Sequence, residues 1–263
     1  MEPQALGRVS RITAFNTLNR LAKKFKSNPA FKKQYSVFIA EYKSMGHMVA
    51  ANNIEESSSA VFYLPHHGVI QESSSTTKLR VVFNGSSQSS SGLSINSILH
   101  AGAKLQTDIA EVLLWSKTHR ILFATDMVKM YRQIAVHRDN WDLQRILWYD
   151  KENRPVDYQL TTVTYGFSCA PFLALRTIQQ LEDEGSRFPK AIVLLTKGRY
   201  VDDIFGEAES ITETKEIVRQ LTQLCQAGQF PLQKWNSNCP EVLPKTDNKS
   251  VTLWSLSLSC AKS

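Results

Sequence analysis

A chain of 263 residues with 42% hydrophobic content can bury a core, and roughly 150 residues per domain allows one domain or two. No run approaches the ~18 consecutive apolar residues of a membrane span. Met1–Gly7 lacks the basic and apolar regions of a secretory signal, and four scattered cysteines (Cys169, Cys225, Cys239, Cys260) suit free thiols better than a zinc site.

The net charge of +7 is unevenly placed. Residues 1–40 carry eight basic side chains against Glu2 alone, while the remainder balances at 23 of each sign. A basic arm on a neutral body suits contact with a polyanion, or else it is a solvated helix face.

In chain order, Ile12, Phe15, Leu18, Leu21 and Phe25 predict one apolar helical stripe. Asn28-Pro29 then reads as an N-cap followed by proline at the first helical position. Phe31, Tyr35, Phe38, Ile39 and Tyr42 share the inner face of that second helix, which Gly46 ends. Serine-rich stretches at 55–59, 73–77 and 86–92 read as loops, and the KLRVVFN segment between the last two reads as a strand in a mobile hairpin. Arg120–Asp126 is an apolar run ending in a carboxylate, the form of a buried strand delivering a charge at its edge. Pro171 opens a helix, Ile192–Leu195 and Tyr200–Phe205 are strand-like, and Ile217, Leu221 and Leu224 mark a last helix before Gly228. Strands and helices alternate without a βαβ repeat, which predicts α+β.

Asp202 and Asp203 are adjacent carboxylates between apolar neighbours, expected inside a strand. Two such groups repel one another and lose hydration unless a cation neutralises them, and hard oxygen ligands suit Mg²⁺. With Asp126 from the upstream strand, three carboxylates could hold two ions roughly 3.5–4 Å apart, an arrangement suited to in-line nucleotidyl transfer.

These residues carry a resemblance. Tyr200-Val201-Asp202-Asp203 looks like the Y-x-D-D box of reverse transcriptases. FATDMVKMYRQI (123–134) is similar to the motif holding their first catalytic aspartate, and TYGFSCAP (164–171) resembles the glycine-bearing segment beneath template and nucleotide. Residues 63–86 resemble the fingers hairpin, and FPLQKWNSN (230–238) resembles the lysine-bearing motif beyond the palm. All five stand in the family's order over about residues 8–243, with wording nearest the BEL/Pao class of long-terminal-repeat retrotransposons.

The resemblance implies a right-hand polymerase whose antiparallel palm sheet is backed by helices. A basic helical segment would occupy 1–50, fingers 60–120 and palm 121–243, with an aberrant tail at 244–263 and the thumb largely missing. It implies an RNA-directed DNA polymerase, part of an element polyprotein, using two Mg²⁺ ions (or Mn²⁺), dNTPs and a primed RNA or DNA template. Its setting would be a cytoplasmic virus-like particle or the nucleus. The competing expectation is an inactive relic that still binds nucleic acid.

Asp126 and Asp202 would ligate both metals, Asp203 would act more weakly, and the Met127 carbonyl would complete one sphere. Lys78 and Arg80 would reach the nucleotide phosphates. Tyr131 would gate against a ribose 2′-hydroxyl, and Gly166 would admit the nucleotide close to the backbone. Lys234 would donate a proton to pyrophosphate, and Arg20, Lys23, Lys24 and Tyr200 would touch nucleic acid. Two positions depart from the family: Tyr165, a nucleotide-binding residue whose ring would stack on the sugar, replaces a frequent glutamine, and Asn84 stands where aspartate is expected.

Overall fold

Asn28 ends one helix and begins the next. In the computed structural model, which describes residues 3–51, 60–71, 79–116 and 119–244, helix α1 spans Pro3–Ser27 and α2 spans Pro29–Ser44. The Asn28 side chain accepts from the Phe31 N–H at 2.9 Å, satisfying a helix-start donor, and Pro29 sits where its missing N–H costs nothing. Phe31, Tyr35, Ile39 and Tyr42 are buried as expected.

The α1 stripe differs from its expectation. Ala14, Leu18, Leu21 and Phe25 are buried, but Ile12 is 59% exposed and Phe15 37%. Successive steps of three residues lag a 3.6-residue repeat by about 60° each. Ile12 therefore lies half a turn round from Leu21, and the small Ala14 takes its place in the core.

The chain forms two compact units, residues 1–102 with 134–173, and residues 103–133 with 174–263. In the first, strands β1 (Met48–Ala50), β5 (Arg145–Tyr149) and β6 (Pro155–Leu160) form an antiparallel sheet in the order β1-β6-β5. Strands β2 (His66–Ile70) and β3 (Leu79–Phe83) form a separate hairpin, paired from His66↔Phe83 to Ile70↔Leu79. The expected KLRVVFN strand is thus present as β3, while Lys78 and the serine stretches at 55–59 and 73–77 lie outside the described residues. A short helix α3 (Ile95–Ile98) follows, capped by Ser94 and Ser97 in a reciprocal pair of hydrogen bonds.

α1 and α2 pack on these strands through an aromatic core. Tyr35 stacks on Trp148 with centroids 5.3 Å apart and 10° between planes, and Phe25 meets both rings edge-on. His66 is enclosed among them. Its Nε2 faces the Leu147 carbonyl at 2.9 Å and must donate, so Nδ1 accepts the Tyr35 hydroxyl proton at 2.5 Å. Burial, and next the nearby His67, push its pKa down to about 4. The unfolded chain, with an ordinary His near 6.5, therefore binds more protons between those values, and stability present above pH 6.5 is lost as pH falls toward 4. The unfolding free energy should drop by about 2 kcal/mol from pH 7 to pH 5 on this account alone. Urea titrations at the two pH values check this, and acid limbs of equal slope in the parent and His66→Gln would contradict it.

The second unit is built on an antiparallel sheet of β7 (Arg199–Tyr200), β8 (Asp203–Ala208), β4 (Ile121–Met127) and β9 (Leu232–Ser237), in that order. Helices α4 (Ile109–Trp115), α6 (Pro189–Lys197), α7 (Ile211–Ala227) and most of α5 (Ala170–Glu184) belong to it. The sheet's inner positions Ile121, Phe123, Met127, Ile204 and Trp235 are buried, and α7 covers it with Ile217, Leu221 and Leu224.

Ile192–Leu195, expected as a strand, lies inside α6. Pro189 opens that helix and Gly198 closes it, and Ala191, Leu194 and Leu195 recur at helical steps on the buried face. These outweigh the β preference of Ile192 and Val193. Cys169, Cys225 and Cys239 are free thiols.

Candidate active site

β4 delivers Asp126 near its end, and the residues paired beside it define the site. In the β4–β8 register Asp126 stands directly opposite Asp203, so both side chains share one face with Cβ atoms about 4.5–5.5 Å apart. β7 and β8 join through Val201-Asp202 alone, since Tyr200 pairs with Asp203. Of the two aspartates expected inside a strand, Asp203 begins β8 and Asp202 lies in the two-residue turn of the hairpin. The physical reason is that the ladder closes at Tyr200↔Asp203, which leaves Asp202 in the turn.

That turn is strained and clamped. Val201 has φ 55°, a left-handed conformation that a β-branched residue rarely adopts. Its N–H donates to Gln106 Oε1 at 3.1 Å, and the Asp202 carbonyl accepts from the Met127 N–H at 2.9 Å. Both ends of the Val201-Asp202 dipeptide are thereby fixed, one of them to β4.

β9 approaches Asp126 from the other side with a bulge. Ala124 pairs with Asn236 and Asp126 with Gln233, so two steps on β4 face three on β9. Lys234 sits in the bulge with φ 54°. A regular strand would point Gln233 and Lys234 to opposite faces. Here Gln233 Nε2 donates to Asp126 Oδ1 at 3.0 Å and Lys234 Nζ to Asp126 Oδ2 at 2.7 Å. The bulge re-aims one side chain so that consecutive residues grip one carboxylate.

The electrostatics follow the crowding. Burial raises the pKa of Asp202, with Asp126 adding repulsion, and burial raises that of Asp203, with Asp202 and Asp126 adding theirs. Lys234 opposes both shifts. Tyr131, half-buried on the 3₁₀ turn Met130–Gln133, has its hydroxyl pKa raised by burial and then by the charge of Asp202. The Tyr131 hydroxyl is therefore within electrostatic reach of that carboxylate.

Asp126, Met127, Tyr131, Tyr200, Asp202, Asp203 and Lys234 thus all belong to the second unit. Gln233 and Gln106 join them by hydrogen bonds that no local spacing foretells. The oxygen donors suit a hard divalent cation, and their mutual repulsion is what such an ion would relieve. Among the described residues no three His, Cys, Asp or Glu side chains converge as a finished ligand set, and the Lys234 ammonium stands against Asp126 instead.

The remaining candidates belong to the first unit. Arg80 is exposed on β3 opposite Val69. The Tyr165 hydroxyl donates to the Val81 carbonyl and its ring lies 5.7 Å from Phe83, which ties the 164–168 turn to β3. Gly166 has φ 101°, and a Cβ there would stand 2.4 Å from the Phe83 carbonyl oxygen. Close approach of the chain to itself therefore already requires glycine. Asn84 accepts from the Ser86 N–H at 3.1 Å as a turn residue. Arg20, Lys23 and Lys24 are exposed on α1, with the Lys24 ammonium 4.3 Å from the Phe31 ring centroid.

No protein family's sequence profile matches the chain, and no curated protein matches it in sequence. Solved structures do. The protease-reverse transcriptase of prototype foamy virus is similar over 78% of this chain, with TM-score 0.60 and 16% identity in a selenomethionine-labelled CSH mutant. The native form gives TM-score 0.58 and 15% identity over 78%, and a foamy viral protease-reverse transcriptase dRH in complex with double-stranded DNA gives 0.57 and 15% over 77%. The matches take in 24%, 24% and 30% of those proteins, so this chain spans under a third of their length. The fold is that of the reverse-transcriptase polymerases, mixed helix and antiparallel sheet.

Proposed function

We propose that the chain is the polymerase part of an RNA-directed DNA polymerase that extends a primer by two-metal nucleotidyl transfer, within a retrotransposon polyprotein of the BEL/Pao kind. The observation that carries this reading is the meeting of Asp126 and Asp203 in register, with Asp202 in a strained turn clamped to β4. A turn held in an unfavourable conformation at a charged site is the mark of a function that the fold maintains against its own stability.

Asp126 and Asp202 would hold Mg²⁺, which when bound lowers the barrier to attack by a primer hydroxyl and neutralises the departing pyrophosphate. Asp203 would tune the site from beside them. Tyr131 would stand against the sugar, and Lys78 and Arg80 would contact the phosphates of the incoming dNTP. The exposed Arg20, Lys23 and Lys24 support contact with template phosphates, which carry no sequence information but fix register.

Primer extension on an RNA template with Mg²⁺ and the purified chain is the test. Incorporation of dNTPs supports the proposal. No incorporation alongside retained, salt-sensitive binding of primer–template would favour the relic that only binds.

Sugar selection gives a sharper result. If Tyr131 excludes ribose by a clash, Tyr131→Ala should raise rNTP use relative to dNTP by about 10- to 200-fold, the range available to a pocket that distinguishes one small group. Unchanged discrimination would leave Tyr131 as packing beside Asp202.

A further inference from the structure

The lysine of the candidate site sits on the carboxylate that a metal would need. Lys234 Nζ is 2.7 Å from Asp126 Oδ2, and the lysine side chain is 48% exposed while the aspartate is 14% exposed. The bulge in β9 makes this contact possible, and Asn236 braces it by donating from Nδ2 to the Lys234 carbonyl at 2.8 Å. The other oxygen of Asp126 is held separately by Gln233, so Asp126 stays oriented whether or not the ammonium is present.

An ion pair with a half-exposed partner is weak, because water and side-chain freedom compete for it. The ammonium can therefore leave. Its positive charge opposes the repulsion at both Asp202 and Asp203. The sheet thus has its own monovalent counter-ion on a flexible stem, placed by a backbone irregularity at the spot where a divalent ion would do the same work more strongly.

We propose that Lys234 is an exchangeable counter-ion: its ammonium holds Asp126 until a divalent metal displaces it, so that metal entry releases Lys234 into the site. This rests on the two-metal reading and adds an order of events to it. The released ammonium would be free to meet the anionic groups of a nucleotide only once metal is bound, and in its absence the acidic cluster would remain partly neutralised.

Two measurements on the purified chain, neither of them of activity, test this. The first is amine-labelling of lysines followed by mass spectrometry, with and without saturating Mg²⁺. Lys234 should label several-fold faster with the metal, while other lysines change little. The second is Mn²⁺ binding by calorimetry, where Lys234→Met should bind about two- to fivefold more tightly than the parent, the range that displacing one weak ion pair allows, and Lys234→Arg should bind like the parent. If the parent binds metal but Lys234 labels at the same rate, the exchange is wrong and the two-metal reading survives. If neither the parent nor Lys234→Met binds Mn²⁺, both fall together.

Discussion

Replacing Asp126 or Asp202 by asparagine should lower nucleotide incorporation by about a thousandfold or more, while leaving the melting temperature unchanged or higher. The two halves of that expectation have one cause. Asp202 and Asp203 lie beside Asp126 at the end of β4, where burial and repulsion both disfavour the charged forms of Asp202 and Asp203. A fold does not gain stability from such an arrangement, so removing one charge relieves it. The chemistry loses what the fold gains. Charge stabilisation by metal is worth several kcal/mol at a transferring phosphoryl group, and about 4 kcal/mol corresponds to a thousandfold in rate. Asp203→Asn should cost less, since Asp203 is exposed and begins β8 instead of lying in the clamped turn. Primer extension with melting curves on the same samples gives both readouts. Extension by Asp202→Asn within tenfold of the parent would remove that residue from the chemistry, and a large loss of stability would make its role architectural.

What could be read in advance, and what could not, divides along the range of the interactions. The Asn28-Pro29 start of α2 and the Gly228 end of α7 are set by a few neighbouring residues, and both stand in the structure. The apolar run before Asp126 needs only burial on both sides to become a central strand, and β4 is that strand. The errors come where a partner distant in sequence decides. Ile192 and Val193 prefer strands in isolation, but Pro189, Gly198 and the sheet beneath α6 make a helix of them. Apolar neighbours on both sides place both aspartates within a strand; Asp203 is in one, but pairing of Tyr200 with Asp203 puts Asp202 in the hairpin turn. Gln233 and Gln106 carried no visible signal. Gln233 becomes a partner of Asp126 through a register between residues more than a hundred positions apart, and the bulge that aims Lys234 exists only in that pairing.

Removing the guanidinium of Arg145 should destabilise the first unit by about 3–5 kcal/mol. Arg145 is fully buried. Its Nε and Nη2 donate to Asp142 Oδ1 at 2.8 and 2.7 Å, and Nη1 donates to the Tyr63 hydroxyl at 3.3 Å. Tyr63 in turn donates to Asp157 Oδ2, and Arg11 of α1 reaches Asp157 Oδ1 at 2.8 Å. Gln159 Nε2 closes the other end on Asp142 at 2.5 Å. The chain of bonds therefore runs from the N-terminal helix through the 60–64 segment to β5 and β6, and assigns Arg11 to the fold instead of to a polyanion. Arg145→Met fills similar volume but takes from the partly buried Asp142 the guanidinium that donates to it twice, and losing one side of such a pair costs more than the pair returned. Pairing the substitution with Asp142→Leu separates these contributions. The double variant should recover more than 1 kcal/mol of the single loss, since groups in one network are not additive. Urea unfolding of the parent, the two single variants and the double supplies the cycle. A cost below ~1 kcal/mol for Arg145→Met would mean that desolvating the guanidinium already cancels its bonds. The network would then serve to select one packing of α1 against β5 and β6, and a cooperative transition that broadens without shifting its midpoint would be the sign of it.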